Sequence, residues 1–207
     1  MDPGRPLSEP AFADLAVRVL AAPPRLGGTR LVCVDGPAGS GKTTFAGRLA
    51  AALGDAAAVV HMDDLYAGWT LTGAVARLSA GVLRPLAEGR PGSYHRFDWH
   101  ADRFDPEPVV VPPGPVLLVE GCGSSPRRLD RWTTLRVWVQ APDALRLERG
   151  LARDGTAMVP HWHRWLATEA AEFAREDTAA RAHLRVDGAP VTPVTADRFV
   201  ALHDTWP

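Results

Sequence analysis

The chain has 207 residues, of which 46% are hydrophobic, and a formal net charge of −1. This length fits one domain with a sizeable buried core, so a single domain is expected over residues 1–207. The near-neutral charge excludes a general electrostatic attraction to nucleic acid or to an anionic membrane. The two cysteines are too few for a disulfide framework, and the sequence has neither a basic-then-apolar leader nor an apolar run of about 18 residues, so we expect a cytoplasmic protein.

The first elements predicted along the chain are a helix, a strand and a second helix. Residues 11–21 place apolar side chains at helical spacing before two prolines, which indicates an N-terminal helix and linker over residues 1–24. Residues 31–35 form an apolar run typical of a buried parallel strand. This strand leads through a glycine-rich loop into an Ala- and Leu-rich helix predicted over residues 42–53.

The loop between this strand and helix reads GPAGSGKT, a complete G-x-x-x-x-G-K-[ST] phosphate-binding motif. Its glycines allow a tight turn in which successive N–H groups face a phosphate, and the following helix adds the positive end of its dipole. Lys42 would reach the β- and γ-phosphates, and the Thr43 hydroxyl would hold Mg²⁺. The residues predicted to bind ATP are Gly36, Ala38, Gly39, Ser40, Gly41, Lys42, Thr43 and Thr44.

Lys42 is the only lysine among the 23 basic residues of the chain. The absence of other lysines, together with the absence of Ile and Asn, indicates a genome rich in G and C, in which Arg replaces Lys wherever a plain positive charge suffices. A planar guanidinium is too wide and rigid for a slot between two phosphates. The retention of lysine here therefore favours a phosphate-binding role.

Four further strands are predicted over residues 57–61, 116–120, 135–140 and 183–186, separated by segments with helical spacing. Strands that alternate with helices predict an α/β fold. With the phosphate loop after the first strand, we expect a P-loop NTPase with a doubly wound parallel sheet of about five strands, flanked by helices and carrying a helical lid.

Acidic residues follow two of these strands. Asp63 and Asp64 come directly after the strand at 57–61, and Glu120 ends the strand at 116–120. The carboxyl edge of a parallel sheet would place them beside the phosphate loop. One of the two aspartates can take a proton from an attacking hydroxyl or contact the Mg²⁺ shell, with helix capping as the alternative. Glu120 is predicted to support Mg²⁺, with a solvated or capping acid as the alternative.

Residues 81–115 form a long segment rich in Pro, Gly, His and aromatic residues, with a short edge strand and turn predicted at 109–114. The segment is too long for a simple connector, and its aromatic residues argue against disorder. Flat rings and polar groups alternate over residues 91–100, which is typical of a pocket that stacks a ring and binds its hydroxyls. Packing of these rings onto the domain is the alternative interpretation.

Four motifs together resemble the uridine kinase family, within the wider group that includes pantothenate kinase and phosphoribulokinase. They are the phosphate loop, the DDLY sequence at 63–66 (similar to the family's D-S-F-Y), YHRFDW at 94–99 and VEG at 119–121. The resemblance spans roughly residues 30–155. It implies a P-loop kinase that phosphorylates a hydroxyl of a small molecule, with Asp63 as catalytic base and Mg²⁺ neighbour.

The resemblance also implies an acceptor site. Phe97-Asp98-Trp99 falls where the family has a Tyr-Asp-Phe stretch that contacts the acceptor, with His100 or Arg103 near its basic positions. The chain departs from the family after DDLY, because no acid comes before Glu88 to match the aspartate that helps to hold the ribose. The predicted acceptor residues are Tyr66, Tyr94, Phe97, Asp98, Trp99, His100 and Arg103.

A lid is predicted over residues 143–160. Helical spacing places Arg146, Arg149 and Arg153 on one face, and the last two resemble the lid arginines of such kinases, which stabilise charge on the transferring phosphate. A solvated basic stripe is the alternative.

The last predicted helix covers residues 161–178. Its tryptophans are expected to be buried, while carboxylates that include Glu169 and Glu176 stay in solvent. His161 and His163 lie two positions apart and do not share a helical face, so a metal site is not predicted there.

The predicted function is ATP- and Mg²⁺-dependent phosphorylation of a small-molecule hydroxyl. A nucleoside such as uridine or cytidine is the first choice of acceptor, and another alcohol, pantothenate-like or a sugar, is the second. A nucleotide-dependent switch or ATPase would need a positioned water and a partner surface in place of the aromatic segment. Neither nucleic acid nor a membrane is an expected partner, and a homo-oligomer is compatible with the sequence. The predicted catalytic residues are Asp63, Lys42, Arg149 and Arg153, and the predicted metal-site residues are Thr43, Asp63 and Glu120.

Overall fold

A computed structural model describes residues 8–206 of the protein and contains eight strands within that range. Six of them form one sheet: β1 (Arg30–Asp35), β2 (Ala57–His61), β5 (Val116–Glu120), β6 (Thr133–Gln140), β7 (Leu184–Asp187) and β8 (Val200–Asp204). The other two, β3 (Gly92–Asp98) and β4 (Arg103–Val111), pair with each other as an antiparallel hairpin.

The helices lie between and beside these strands. They are α1 (Phe12–Ala21), α2 (Lys42–Leu53), α3 (Ala74–Leu78), α4 (Arg84–Ala87), α5 (Asp143–Asp154), α6 (Val159–Glu176) and α7 (Thr178–Arg181). A π-helical turn, Ser79–Leu83, joins α3 to α4, and short 3₁₀ turns occur at Gly54–Ala56, Met62–Asp64, Arg127–Leu129 and Thr156–Met158. None of the helices over residues 8–206 is long and apolar enough to cross a bilayer.

The strand order of the sheet is β2-β5-β1-β6-β7-β8, and every neighbouring pair is parallel except β7 and β8. The predicted α/β fold and its five parallel strands are therefore confirmed. The sixth strand, β8, was not predicted. The short edge strand expected at residues 109–114 is the end of β4 in the hairpin, so the prediction for that segment was incomplete.

Helices cover both faces of the sheet, and each face buries its own apolar cluster. On one face α1 and α2 pack near the start of β8. The rings of Phe12, Phe45 and Phe199, the residue before β8, meet there with centroids 5.0 to 5.3 Å apart. On the other face, Leu78 and Leu86 from the α3–α4 segment pack with Trp165 of α6. Burial on both faces explains why β1 and β5 are continuous apolar runs.

The strand order brings three strand ends together. β5 lies between β1 and β2, and its last residue, Glu120, is level with Val34 of β1 and His61 of β2. The loops that follow these three strands therefore leave the sheet from the same edge.

Candidate functional site

The phosphate loop lies against β6 and α5 so closely that two of its glycines have no space for a side chain. A Cβ atom on Gly36 would lie 2.1 Å from the carbonyl oxygen of Val139, and one on Gly39 would lie 2.5 Å from that of Arg146. Both glycines also have positive φ, at +143° and +77°, where other residues are strained. The loop conformation thus depends on glycine at these positions.

Several amide groups of the loop are available to an anion. Among residues 8–206 no hydrogen-bond acceptor faces the N–H groups of Gly39, Gly41, Lys42, Thr43 and Thr44. They stand at the N-terminus of α2, where the helix dipole favours negative charge. This set of donors fits a polyphosphate.

Lys42 is held among acceptors at the base of this loop. It is 7% exposed, and its Nζ donates a hydrogen bond to the carbonyl of Pro37 at 2.9 Å and lies 3.6 Å from Cys122 Sγ. Burial alone would lower the pKa of Lys42, but negative groups that include Glu120 and Glu169 outweigh burial and raise its pKa. The ammonium therefore stays charged.

Glu120 and Thr43 lie together at the end of β5. The Thr43 hydroxyl is 3.2 Å from both carboxylate oxygens of Glu120, which is 4% exposed. His61 Nδ1 lies 2.6 Å from Oε1 of the same carboxylate, and this hydrogen bond raises the pKa of His61. A hydroxyl beside a fixed carboxylate suits Mg²⁺, which prefers oxygen ligands. The contribution of His61 was not predicted, because a single histidine at a strand end carries no recognisable pattern.

The two adjacent aspartates face different surroundings. Asp63 lines the cavity beside the phosphate loop. Desolvation of its carboxylate by the surrounding groups raises its pKa, and Glu120 adds to the rise, while Lys42 and Arg153 lower it. Asp64 accepts a hydrogen bond of 2.9 Å from the Tyr94 hydroxyl and so binds the hairpin. Of the two, Asp63 is the carboxylate that a reacting group in the cavity would meet.

A cavity of about 1200 Å³ connects these groups. The predicted site residues that line it are Ala38, Gly39, Gly41, Lys42, Thr43, Thr44, Asp63, Tyr66, Trp99, His100, Glu120, Arg149 and Arg153. The predicted residues that lie outside its lining are Gly36, Ser40, Tyr94, Phe97, Asp98 and Arg103.

Local packing explains why part of the predicted acceptor set lies elsewhere. Tyr94 is held by Asp64, and Phe97 packs edge-on against Phe104. Asp98 accepts the N–H groups of the turn that joins β3 to β4, at 2.8 and 2.9 Å. Arg103 is the first residue of β4, opposite Asp98. These side chains shape the hairpin rather than the cavity wall.

Several tryptophans line the same cavity as Asp63, and we call the part of the lining that they form the acceptor lobe. Trp69 meets Trp99, Trp162 and Trp165 edge-to-face, with centroids 5.9 to 6.2 Å apart. The indole N–H of Trp99 also donates to the carbonyl of Asp63 at 3.2 Å. Trp69 and Trp162 were not predicted here, because they come from segments about 90 residues apart in the sequence.

We call the part of the lining that contains the phosphate loop the phosphate lobe. The segment that connects β7 to β8 also contributes to this part of the cavity wall. Gly188 lies so close to the phosphate loop that a Cβ atom there would be 1.8 Å from the carbonyl oxygen of Ser40. Pro190, Val194 and Phe199 continue this wall. No sequence pattern indicated this wall, since the contact joins residues about 150 positions apart.

The three arginines of the predicted lid lie on one helix, but each has different partners. Arg149 donates to the carbonyls of Gly39 and Gly188, at 3.1 and 3.2 Å. Arg153 pairs with Asp154 at 2.7 Å, while the Asp154 carboxylate also accepts the indole N–H of Trp162. Arg146 is buried and is not among the residues that line the cavity.

The sequence prediction for two carboxylates of α6 is wrong. Glu169 and Glu176 were expected in solvent, but they are 1% and 8% exposed. Glu169 pairs with Arg146 at 2.8 Å, and Glu176 accepts the N–H of Arg127 at 2.8 Å. Helical periodicity could not separate these positions from solvent-facing ones, because each acid is buried by a partner from a distant element.

The fold of this chain is similar to the folds of two solved structures that are named as kinases. The chain is similar in structure to a possible uridine kinase from Bacillus stearothermophilus, with a TM-score of 0.62 and 21% identity, over 84% of this chain and 96% of the other. It is also similar to the putative fructose transport system kinase of Silicibacter sp. TM1040, with a TM-score of 0.60 and 27% identity, over 80% and 95%. No family model and no curated protein match the sequence. The resemblance read from the motifs is confirmed at the level of the fold.

Proposed function

We propose that this protein is an ATP- and Mg²⁺-dependent kinase that transfers the γ-phosphate to a hydroxyl of a small molecule. The observation that carries the proposal is one cavity whose lining contains the phosphate loop, Asp63 and a group of tryptophans. A phosphate loop with free amide donors lines one lobe, and tryptophans line the other. An ATPase or switch protein would not need the acceptor lobe, because it transfers phosphate to water and not to a bound small molecule.

The phosphate lobe would bind and orient the nucleotide. The loop amides and Lys42 would hold the β- and γ-phosphates, and Thr43 with Glu120 would hold Mg²⁺, which when bound offsets charge on the transferring oxygens. Arg149 and Arg153 line the same cavity and would add positive charge near the transferring group.

Asp63 would receive the proton of the acceptor. As the hydroxyl oxygen forms its bond to the γ-phosphorus, the bond to the β–γ bridging oxygen breaks and the hydroxyl proton passes to the Asp63 carboxylate. Asp63 lines the same cavity as Lys42 and Thr43, so its carboxylate could meet an acceptor hydroxyl there. Trp99, which binds the Asp63 backbone, would fix its position.

A nucleoside, uridine- or cytidine-like, is our first proposal for the acceptor, because indole rings can pack against a planar base. A sugar is the second, because tryptophan also packs against the apolar face of a sugar ring, and because the Silicibacter neighbour is named as a fructose transport system kinase. A pantothenate-like alcohol is a third alternative.

The test is a coupled assay of ADP release, with ATP and Mg²⁺, across nucleosides, hexoses and pantothenate-like alcohols. We expect one acceptor class to raise ADP release well above the basal rate. Asp63→Asn should remove most of that stimulation while leaving nucleotide binding near the wild-type level, since the substitution removes the proton acceptor and keeps the size of the side chain.

Asp55→Asn is the matched control, because Asp55 is an exposed aspartate in the turn after α2. It should behave as the wild type. If no acceptor stimulates ADP release, the kinase proposal is wrong, and if Asp63→Asn transfers phosphate at the wild-type rate, Asp63 is not the base.

A further inference from the structure

A buried ion pair connects the phosphate loop to α5 and α6. Arg146 on α5 and Glu169 on α6 are 7% and 1% exposed, and their Nη1 and Oε1 atoms are 2.8 Å apart. Removing two charges from water costs free energy that an apolar pair of the same volume would avoid. Packing of the two helices alone therefore does not explain why charged residues occupy these positions.

The pair holds both backbone groups of a single loop residue, Ala38. Glu169 Oε2 accepts the Ala38 N–H at 2.8 Å, and Arg146 Nη1 donates to the Ala38 carbonyl at 3.2 Å. The next residue, Gly39, is packed against the backbone of Arg146 with no space for a Cβ atom. The conformation of the loop at Ala38 is thus set by two helices that are distant from it in sequence.

A carboxylate is an unfavourable neighbour for a polyphosphate. Glu169 is close enough to Lys42 to raise the pKa of that ammonium, and its Oε2 also accepts the Cys122 thiol at 3.3 Å. If Glu169 influenced nucleotide binding only through its charge, its removal would reduce repulsion and strengthen binding. If it acts by shaping the loop, its removal would weaken binding, so the sign of the effect separates the two roles.

We infer that Arg146 and Glu169 are positioning residues, which hold the Ala38 peptide in the conformation that binds nucleotide and so couple α5, the helix of the predicted lid, and α6 to the phosphate loop. Neither side chain is placed to touch the reacting atoms. The inference rests on the proposed function, since it takes the loop to be a nucleotide site.

The test compares Glu169→Gln with Glu169→Leu, using a fluorescent ADP analogue as the probe and its dissociation constant as the readout. Leu removes both the charge and the acceptor for Ala38, and we expect binding about tenfold weaker, the effect of one lost hydrogen bond. Gln removes the charge but keeps an oxygen acceptor, so its affinity should lie between those of Leu and the wild type. Equal or tighter binding in both variants would overturn the inference.

Glu148→Gln is the control for a lost negative charge, because Glu148 is an exposed residue of α5. It should bind the probe as the wild type does. Turnover adds a second readout: the KM for ATP should rise more than kcat falls, because the loop and not the acceptor lobe is disturbed.

A double variant, Arg146→Met with Glu169→Leu, separates positioning from stability. Apolar replacement of a buried ion pair usually preserves folding, which the melting temperature will check. We expect a melting temperature near that of the wild type but still weak probe binding, since Ala38 has lost both partners. Wild-type affinity in this variant would mean that the pair serves only packing.

The outcomes also separate this inference from the proposed function. If the wild-type protein binds the probe but transfers phosphate to no acceptor, the kinase proposal is wrong. The binding comparison of the Glu169 variants then still tests the positioning inference. A wild-type protein that does not bind the probe would overturn both.

Discussion

The phosphate lobe and the acceptor lobe of the cavity are built in different ways. The phosphate lobe consists of backbone amides, glycines without space for a side chain, and the buried carboxylate of Glu120, which accepts a hydrogen bond from the Thr43 hydroxyl. The acceptor lobe consists of side chains, mostly indoles, carried by a hairpin, a loop and α6. The first can be recognised from a short motif, whereas the second exists only after the chain has folded. We therefore expect substitutions in the phosphate lobe to have large effects on any reaction, and those in the acceptor lobe to have smaller effects that depend on the acceptor.

The largest effect is expected for Lys42→Arg. The substitution keeps the charge but places a planar guanidinium where Nζ now fits between Pro37 and Cys122. We expect a fall of about 100-fold or more in kcat/KM, the scale of losing one well-placed charge stabiliser. Arg90→Lys, an exchange at an exposed residue, is the control and should be neutral. Turnover within threefold of wild type would show that the slot tolerates a guanidinium.

A pair of glycine substitutions tests whether the phosphate lobe is as rigid as its contacts indicate. Gly39→Ala should lower the melting temperature and weaken nucleotide binding, because the new Cβ atom would meet the Arg146 backbone at positive φ. Gly47→Ala, in α2 with open space around it, should stabilise the protein by about 0.5–1 kcal/mol. Thermal unfolding with and without ADP measures both. Two variants that shift stability in the same direction would contradict the packing argument.

Trp99→Phe should have a moderate effect confined to the acceptor lobe. Phe keeps an aromatic ring but loses the indole N–H that binds the Asp63 carbonyl. We expect the KM for the acceptor to rise about five- to tenfold, the effect of one hydrogen bond, with the KM for ATP within twofold. A parallel rise in both KM values would mean that the two lobes are not separable at Asp63.

The smallest effect is expected for Asp98→Asn. Asp98 was predicted to contact the acceptor, but its carboxylate accepts two backbone N–H groups of the hairpin turn, and an amide oxygen can do the same. Both KM values should stay within about twofold of wild type, because hydrogen bonds within an exposed turn contribute little. A rise of more than tenfold in the KM for the acceptor would mean that Asp98 contacts the substrate after all.

Sequence alone predicted the parts of the protein that depend on local pattern. The phosphate loop, the five parallel strands and the acids at 63 and 120 each follow from a few consecutive residues, because a strand end fixes where the next side chain goes. The family resemblance assigned the base to Asp63, and the structure adds that the neighbouring Asp64 accepts a hydrogen bond from Tyr94 of the hairpin.

The parts that could not be predicted depend on distant partners. Glu169 is buried because Ala38 and Arg146 meet it, and Gly188 lies against Ser40 because the sheet brings β7 beside β6. The hairpin was missed because a bulge between His95 and Phe97 breaks the alternation of buried and exposed residues that marks a strand.

The position of β5 in the sheet has a consequence for synthesis of the chain. β1 and β2 both pair with β5 but not with each other, and Val116 follows its partner Arg30 by 86 residues. A growing chain that has just left the ribosome with its first two strands and its phosphate loop therefore has no sheet to fix that loop. An anion at this loop cannot help the early part of the chain to fold, because the groups around the loop, such as Glu120, are present only when more than half of the chain has been made.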